Sequence, residues 1–241
     1  MIIRRQFTSR DTALTVSFTA LYVVFGFLKI SPIIGLPGQA ITAAAIMAPI
    51  TGMLLGPEIG ALSAFTGGLI GFFLGSFSPP SFASGIFAAL CAGLTHDGKR
   101  VMSILVYTSL LLLLALYPTV GAAWLYPPEM WFQIICLIIL VSPLQSIATR
   151  NLENNSKLLY GFLITSLTST LAGQIAGSLT LEALTTDAEY WRGTWQVITF
   201  LYPVERMIIA LAAALIGTPL LNVLRRAKMM PLNYTRNQKQ G

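Results

Sequence analysis

Few side chains in this 241-residue chain could carry out catalysis or hold a metal. The sequence has one histidine, His96, and two cysteines, Cys91 and Cys136, which are too few for a zinc, haem or iron–sulfur site built from His and Cys ligands. A Ser/His/Asp triad would have to use that single histidine, and the sequence contains neither a complete Walker motif nor HExxH. We therefore predict a protein that is not an enzyme and that needs no cofactor or metal.

Glu205 and Arg206 form the one charge pair that we place at membrane depth. Arg206 lies 19 residues before Arg225, which is about 28 Å along a helix at about 1.5 Å per residue, so the pair would lie near the outer edge of a span. Pro203 would then occupy the first helical position, and Glu205 in the first turn would complement the helix dipole. The pair therefore either caps a helix or faces a ligand.

The composition excludes a soluble protein. Hydrophobic residues make up 55% of the chain and charged residues only 10%, against about 45–50% and about 25% in soluble domains. The mean hydropathy is +0.73, and long uncharged stretches carry it, as in polytopic helical membrane proteins. In a soluble protein, the net charge of +6 would suggest binding to nucleic acid. Here the basic residues flank apolar runs, so we expect no nucleic-acid partner.

The uncharged runs predict an all-α bundle of about eight membrane spans, with six as the lower bound. A span needs roughly 20 apolar residues, and the run over residues 59–95 is too long for one helix. Ser78-Pro79-Pro80-Ser81 divides it, because two prolines cannot continue a helix. The element at 81–95 is short, so it either spans the membrane or is re-entrant. The predicted helices are 11–28, 39–55, 58–76, 81–95, 101–124, 130–148, 158–181 and 203–224.

Charge distribution favours eight spans with both termini in the cytoplasm. In that topology twelve Lys and Arg residues lie inside and two, Lys29 and Arg192, lie outside, as the positive-inside rule requires. If 81–95 does not span, the count becomes four inside and ten outside. In the eight-span topology the four tryptophans fall at outer helix ends, where indole rings are common. Residues 1–241 form a single transmembrane domain of the cell membrane, ending in a basic cytoplasmic tail, 225–241.

Small residues four apart indicate close helix packing. Gly67, Gly71 and Gly75 repeat at this spacing on the third predicted helix, as do Gly173 and Gly177 on the seventh. A groove for a ligand or a moving partner is the alternative interpretation. Ala13 and Ser17 form a smaller patch of the same kind on the first helix.

Four motifs in the first three helices and the last one carry a family resemblance. They are Thr12-Ala13-Leu14, the stretch APITGMLLGPEIGA at 48–61, Gly67-Gly68-Leu69-Ile70-Gly71, and Tyr202-Pro203-Val204-Glu205-Arg206. In these motifs the sequence resembles the S components, the substrate-binding membrane subunits, of energy-coupling factor transporters.

The resemblance implies a function and partners. In that family a six-helix bundle binds a vitamin or similar nutrient near its outer face, under the loop between the first two helices. A separate membrane subunit and two ATPases then drive uptake. Small residues on the first helix face that coupling subunit, and Ala13 and Ser17 hold the matching positions, although Ser17 stands where alanine is usual. The eight predicted helices exceed the six of the family, which suggests that the helices 130–148 and 158–181 are additions to the family's bundle.

A binding site in such a bundle should lie where the outer loops converge, with aromatic walls and a few polar groups. Arg192 or Arg206 would pair with a carboxylate or phosphate, whereas Glu129 or Glu189 would favour a cation. The sequence leaves both open. The candidate substrate-binding residues are Gln39, Trp124, Tyr126, Glu129, Trp131, Tyr190, Trp191, Arg192, Trp195, Glu205 and Arg206.

These observations predict the substrate-capturing subunit of a nutrient importer in the lipid bilayer, energised by a transmembrane coupling subunit and ATPase subunits. The first alternative is a non-catalytic structural or accessory subunit that docks into a larger membrane complex through its glycine faces. The second is a stand-alone facilitator, which an internal repeat would have supported. An integral-membrane enzyme fits least, because reactive residues are so scarce.

Overall fold

A computed structural model describes residues 9–34, 36–144 and 155–227. Helices dominate this part of the chain, which confirms the all-α prediction at the level of class. They are α1 (Ser9–Phe25), α2 (Ala44–Leu55), α3 (Pro57–Phe73), α4 (Pro79–His96), α5 (Arg100–Leu116), α6 (Ala122–Leu125), α7 (Trp131–Val141), α8 (Asn155–Leu184) and α9 (Ala188–Arg226), with a short 3₁₀ helix (Pro127–Met130) before α7 and two strands, β1 (Lys29–Pro32) and β2 (Ala40–Thr42).

Prolines separate α3 from α4 as the sequence predicts. Ser78 caps α4 by accepting a hydrogen bond from the amide of Ser81, and Pro79 and Pro80 occupy the first turn, where a missing N–H is tolerated. The 18 residues of α4 form one continuous helix of about 27 Å, which packs along α2, α3 and α8. This helix is as long as its neighbour α3.

The fifth predicted helix, 101–124, is shorter than expected because α5 ends at Leu116. Tyr117 precedes Pro118 and is extended, since a residue before proline avoids helical angles. Thr119 then adopts a positive φ of 68°. A Cβ at Gly121 would lie 2.6 Å from the carbonyl oxygen of Ala115, so only glycine allows the chain to fold back so closely.

The last predicted helix, 203–224, is also wrong at its start. The structure has one 39-residue helix, α9, whose N-cap Asp187 accepts hydrogen bonds from the amides of Glu189 and Tyr190. Pro203 therefore lies inside the helix, and Glu205 is not in its first turn. Arg225 and Arg226 belong to α9 instead of the predicted tail. The sixth predicted helix, 130–148, is shorter than expected, because α7 ends at Val141 and Ser142 is extended. Residues 228–241 of the predicted tail, and the predicted helix beyond residue 144, lie outside the described residues.

The helix α8 lies at the centre of the bundle, between α4 and α9. Its many hydroxyl side chains are buried, and those of Thr168 and Thr170 donate hydrogen bonds to carbonyls of the preceding turn, which satisfies them without water. Gly173 and Gly177 face the carbonyls of Ser84 and Pro80 on α4. The helix that we expected to be an addition to the bundle is thus part of its core.

Glycines on α3 allow close contact with neighbouring aromatic rings. A Cβ at Gly67 would lie 3.0 Å from Tyr22 on α1, and one at Gly71 would overlap the ring of Phe77. Gly75, predicted on the same packing face, does not pack. It is exposed, has a φ of +75° and has no atom within 4 Å of a built Cβ, so it ends the turn after α3.

Large apolar side chains cover much of the outer surface of the described helices. Examples are Val16 on α1, Phe73 on α3, Leu113 on α5 and Phe200 on α9, each more than half exposed. Two helical stretches, Ser156–Leu184 and Ala188–Arg226, have the length and composition to cross a membrane, and several shorter apolar helices accompany them.

Candidate small-molecule cavity

A hairpin covers a cavity at one end of the bundle. Strands β1 and β2 join α1 to α2 and pair in antiparallel fashion. Their connection is apolar, and Ile33 and Ile41 turn inward to pack on Ile209 of α9. The two strands thus form a hairpin whose inner face lines the cavity through Ile33, Ile41 and Thr42.

Two aromatic rings form one wall of this cavity. Tyr22 at the end of α1 and Phe77 before α4 stack with ring centroids 5.3 Å apart and planes inclined by 17°. Gly85 on α4 makes room for the Tyr22 hydroxyl, which a Cβ at that position would overlap. The centre of a water molecule could occupy about 60 Å³ of the cavity, several times the roughly 10–15 Å³ that one buried water needs. A small organic molecule fits this space.

The polar part of the lining comes mainly from hydroxyl and amide groups. Ser81 and Ser84 line it from α4, and Gln174 and Ser178 line it from α8. These two helices meet at the contact of Gly173 and Gly177 described above, so the glycines bring the hydroxyl groups to one place. Among the described residues that line the cavity, Arg206 alone carries a charge.

Arg206 reaches the cavity from the middle of α9 and is only 4% exposed. Its Nη2 lies 3.6 Å from Oε1 of Glu205, and its guanidinium lies over the ring of Tyr202, 5.7 Å from the centroid. Nε makes no hydrogen bond, and neither do the two carboxylate oxygens of Glu205. The arginine is therefore held by charge and by an aromatic face, while hydrogen-bonding capacity of its planar fork stays unused.

A chain of buried polar side chains runs behind the cavity wall. The Gln133 amide donates to Glu129 at 2.5 Å and to Gln174 at 3.4 Å, and Gln174 donates to Ser178 at 3.3 Å. Glu182, one turn beyond Ser178 on α8, is fully buried, and neither of its carboxylate oxygens has a hydrogen-bond partner. Glu129 is thus linked through the Gln133 amide to Gln174, which lines the cavity.

The tryptophans of the predicted site do not line the cavity. Trp191 and Trp195 are buried and stacked at 4.6 Å, and their indole N–H groups donate to the carbonyls of Thr185 and Val120. They pack α9 against the α6 region. Trp124 is 64% exposed.

Trp131 satisfies a backbone group that Pro203 leaves free. Pro203 has no N–H to donate to the carbonyl of Thr199, four residues earlier in α9, and the Trp131 indole donates to that carbonyl at 3.1 Å. Trp131 thus stabilises the interior proline of α9 and does not line the cavity.

The remaining predicted site residues are scattered. Gln39 and Arg192 are exposed, as is the predicted alternative Glu189, while Tyr126 and Tyr190 are half-buried. Of the eleven predicted site residues, the structure brings only Arg206 to the cavity, with Glu205 beside it. The predicted coupling residues Ala13 and Ser17 are exposed on α1.

Sequence reasoning missed most of the residues that line the cavity: Tyr22, Phe77, Ser81, Ser84, Gln174 and Ser178. One signal was available, because a span as rich in Ser, Thr and Gln as 165–178 needs partners for these groups within the protein. Among the described residues, no group of three or more His, Cys, Asp and Glu side chains could hold a metal ion.

Comparisons of the chain with protein-family models, with curated proteins and with solved structures found no match.

Proposed function

We propose that this protein is the substrate-capturing subunit of a nutrient importer in the cell membrane, similar to the S components of energy-coupling factor transporters. Its cargo is a vitamin or a related small molecule, and separate membrane and ATPase subunits supply the energy. The observation that carries this proposal is the cavity under the hairpin between α1 and α2, with aromatic and hydroxyl walls and one buried arginine. Such a site binds and orients a ligand, and the residues around it offer little for catalysis.

The apolar surface supports the membrane part of the proposal. Soluble monomers rarely expose contiguous apolar patches larger than a few hundred Å², whereas exposed apolar residues here lie on α1, α3, α5, α7 and α9. In the proposed topology the chain passes through the bilayer eight times, both termini are cytoplasmic, and the cavity opens to the outside. The hairpin then separates the ligand from the external medium.

A native mass spectrum of the protein, extracted gently from its own membrane, tests the capture role. We expect a complex with a second membrane subunit and two ATPases, or a retained mass of vitamin size. Stable assembly with other membrane proteins and no bound small molecule would contradict capture and favour a structural or accessory subunit. The apolar face of α9 around Phe200 and Val204 suits a protein partner as well as lipid. This face is the observation that favours the second candidate, a structural or accessory subunit.

Replacing Ala45 by tryptophan should remove the retained ligand. Ala45 lines the cavity from the first turn of α2, and an indole there would occupy the space that the ligand needs. The matched control is Ala183→Trp, because Ala183 is exposed near the end of α8 and does not line the cavity. The ligand should disappear from the native mass spectrum of the first variant only. Equal ligand retention in both variants would show that the ligand binds elsewhere.

Bulky substitutions on α1 test the coupling role. Ala13 and Ser17 are exposed and four residues apart, which lets another helix approach closely. We expect Ala13→Trp and Ser17→Trp to lower uptake by about tenfold or more by blocking that approach, while ligand binding to the isolated subunit stays unchanged. Unchanged complex formation and uptake in both variants would contradict a coupling face on α1.

A further inference from the structure

Arg206 has a donor, Nε, that its protein partners do not use. Its side chain is 95% buried, and its Nε has no hydrogen-bond partner. The contact with Glu205, at 3.6 Å, is longer than an ordinary charge-assisted hydrogen bond of about 2.7–2.9 Å. A buried donor without an acceptor is costly, so a ligand group that accepts hydrogen bonds from Arg206 would be stabilised strongly at this wall.

The charges around the cavity distinguish between classes of ligand. A cationic ligand would face Arg206 without a carboxylate in the lining, because Glu205, Glu129 and Glu182 are all buried near the cavity but none of them lines it. A neutral ligand that offers no hydrogen-bond acceptor would leave Nε of Arg206 unpaired. Both of these classes are disfavoured by the arrangement.

The number of negative charges matters as well. Glu205 already offsets the charge of Arg206, so a bound monoanion leaves one excess negative charge and a phosphate dianion leaves two. In a buried site the desolvation cost of each uncompensated charge is several kcal/mol, which favours a monoanion over a dianion. A planar carboxylate also matches the arginine fork in a bidentate geometry.

The other walls indicate the body of the ligand. The stacked pair of Tyr22 and Phe77 presents an aromatic surface, and Ile33, Ile41 and Leu181 add apolar contacts. The hydroxyl groups of Ser84 and Ser178 can bind one or two polar substituents.

We infer that the ligand of this cavity is a small monocarboxylate with a planar, largely apolar body, and that Arg206 binds its carboxylate. This inference rests on the proposed capture function and narrows the substrate class. Glu205 then acts as a competing partner that weakens carboxylate binding. Its neutralisation should release the guanidinium to the ligand.

The test uses four probes that share one ring and differ in charge: benzoate, benzamide, phenyl phosphate and benzylammonium. Their affinities for the full chain in lipid nanodiscs are measured by calorimetric titration. We expect benzoate to bind at least about tenfold more tightly than the other three, because only benzoate supplies a singly charged planar acceptor to Arg206.

Variants of the charge pair make the assignment specific. The double variant Glu205→Gln/Arg206→Gln keeps the charge balance of the buried pair, and should lower benzoate affinity by about 10- to 100-fold with little change for benzamide. The single variant Glu205→Gln should raise benzoate affinity. Arg192→Gln is the matched control, because Arg192 is an exposed arginine on the same helix, and should leave all four affinities unchanged.

Two results would overturn the inference, and they differ in what they say about capture. If benzamide, phenyl phosphate or benzylammonium binds as tightly as benzoate, or the double variant keeps its benzoate affinity, the substrate class is wrong although the cavity still captures small molecules. If none of the probes binds, the planar monocarboxylate is rejected, and a nutrient-sized mass in the native spectrum decides separately whether the proposed function stands.

Discussion

Replacing Gly52 by leucine is expected to prevent the bundle from assembling. Gly52 lies where α2 crosses α4, and a Cβ there would overlap the carbonyl oxygen of Ala89 and lie 2.8 Å and 3.0 Å from its carbonyl carbon and Cα. On the other side, a Cβ at Gly60 of α3 would lie 2.7 Å from the Cα of Gly52. These neighbours are backbone atoms, which cannot move aside as the end of a side chain can.

The expected loss of stability is at least about 3 kcal/mol, the upper end of the usual cost of overpacking, because the helices themselves must separate. The yield of monodisperse protein and its thermal unfolding curve measure this effect. Gly193→Leu is the control, since a Cβ at Gly193 has no neighbour within 4 Å and leucine favours a helix over glycine by up to about 1 kcal/mol. Equal unfolding temperatures of the two variants would contradict the close crossing of α2 and α4.

The helical class was predictable because it follows from local features. Long uncharged runs predict helices, because a chain within a bilayer must satisfy its backbone groups internally. The boundary between α3 and α4 follows from Pro79 and Pro80, which remove two amide donors. The start of α2 at Ala44 was missed because the preceding residues pair as a strand with Lys29–Pro32. That pairing depends on the earlier strand β1, which the residue pattern of 39–55 does not reveal.

The long helix α9 shows where local rules fail. A proline within an apolar run indicates the first turn of a helix when it is considered alone. In the structure Pro203 is interior, and the carbonyl it leaves free is satisfied by Trp131 from another segment. Because the partner comes from more than 60 residues away, the sequence near Pro203 does not contain the information.

Of the predicted site residues, only Arg206 lines the cavity. The others were predicted wrongly because the type of a residue is a poor guide to which face of a helix meets a cavity. The prediction was based on the large aromatic and charged side chains at the outer ends of the predicted helices. In the structure Trp191 and Trp195 instead pack α9 against its neighbours. The small hydroxyl residues Ser84 and Ser178 line the cavity because α4 and α8 approach closely there. Arg206 was identified because a charge at membrane depth requires an explanation of its own.

Replacing Arg206 alone by glutamine is expected to destabilise the protein by about 3–5 kcal/mol, because it leaves the buried carboxylate of Glu205 without its cation. Glu205 is 7% exposed, and neither of its oxygens has a hydrogen bond that could compensate. The double variant Glu205→Gln/Arg206→Gln should recover most of that loss, since replacing both members of a buried pair is often nearly neutral. Chemical unfolding of the full chain in detergent micelles, followed by circular dichroism, measures both variants.

Arg192→Gln on the exposed face of α9 should change stability by no more than about 0.5 kcal/mol, which separates the effect of the pair from the loss of an arginine in general. A single Arg206→Gln variant as stable as the wild type would mean that Glu205 does not depend on this partner. A double variant as unstable as the single one would mean that Arg206 holds α9 through Tyr202 and not through charge. Recovery in the double variant together with loss of benzoate binding would assign both roles to the same guanidinium: it neutralises Glu205 within the protein and presents its remaining donors to the ligand.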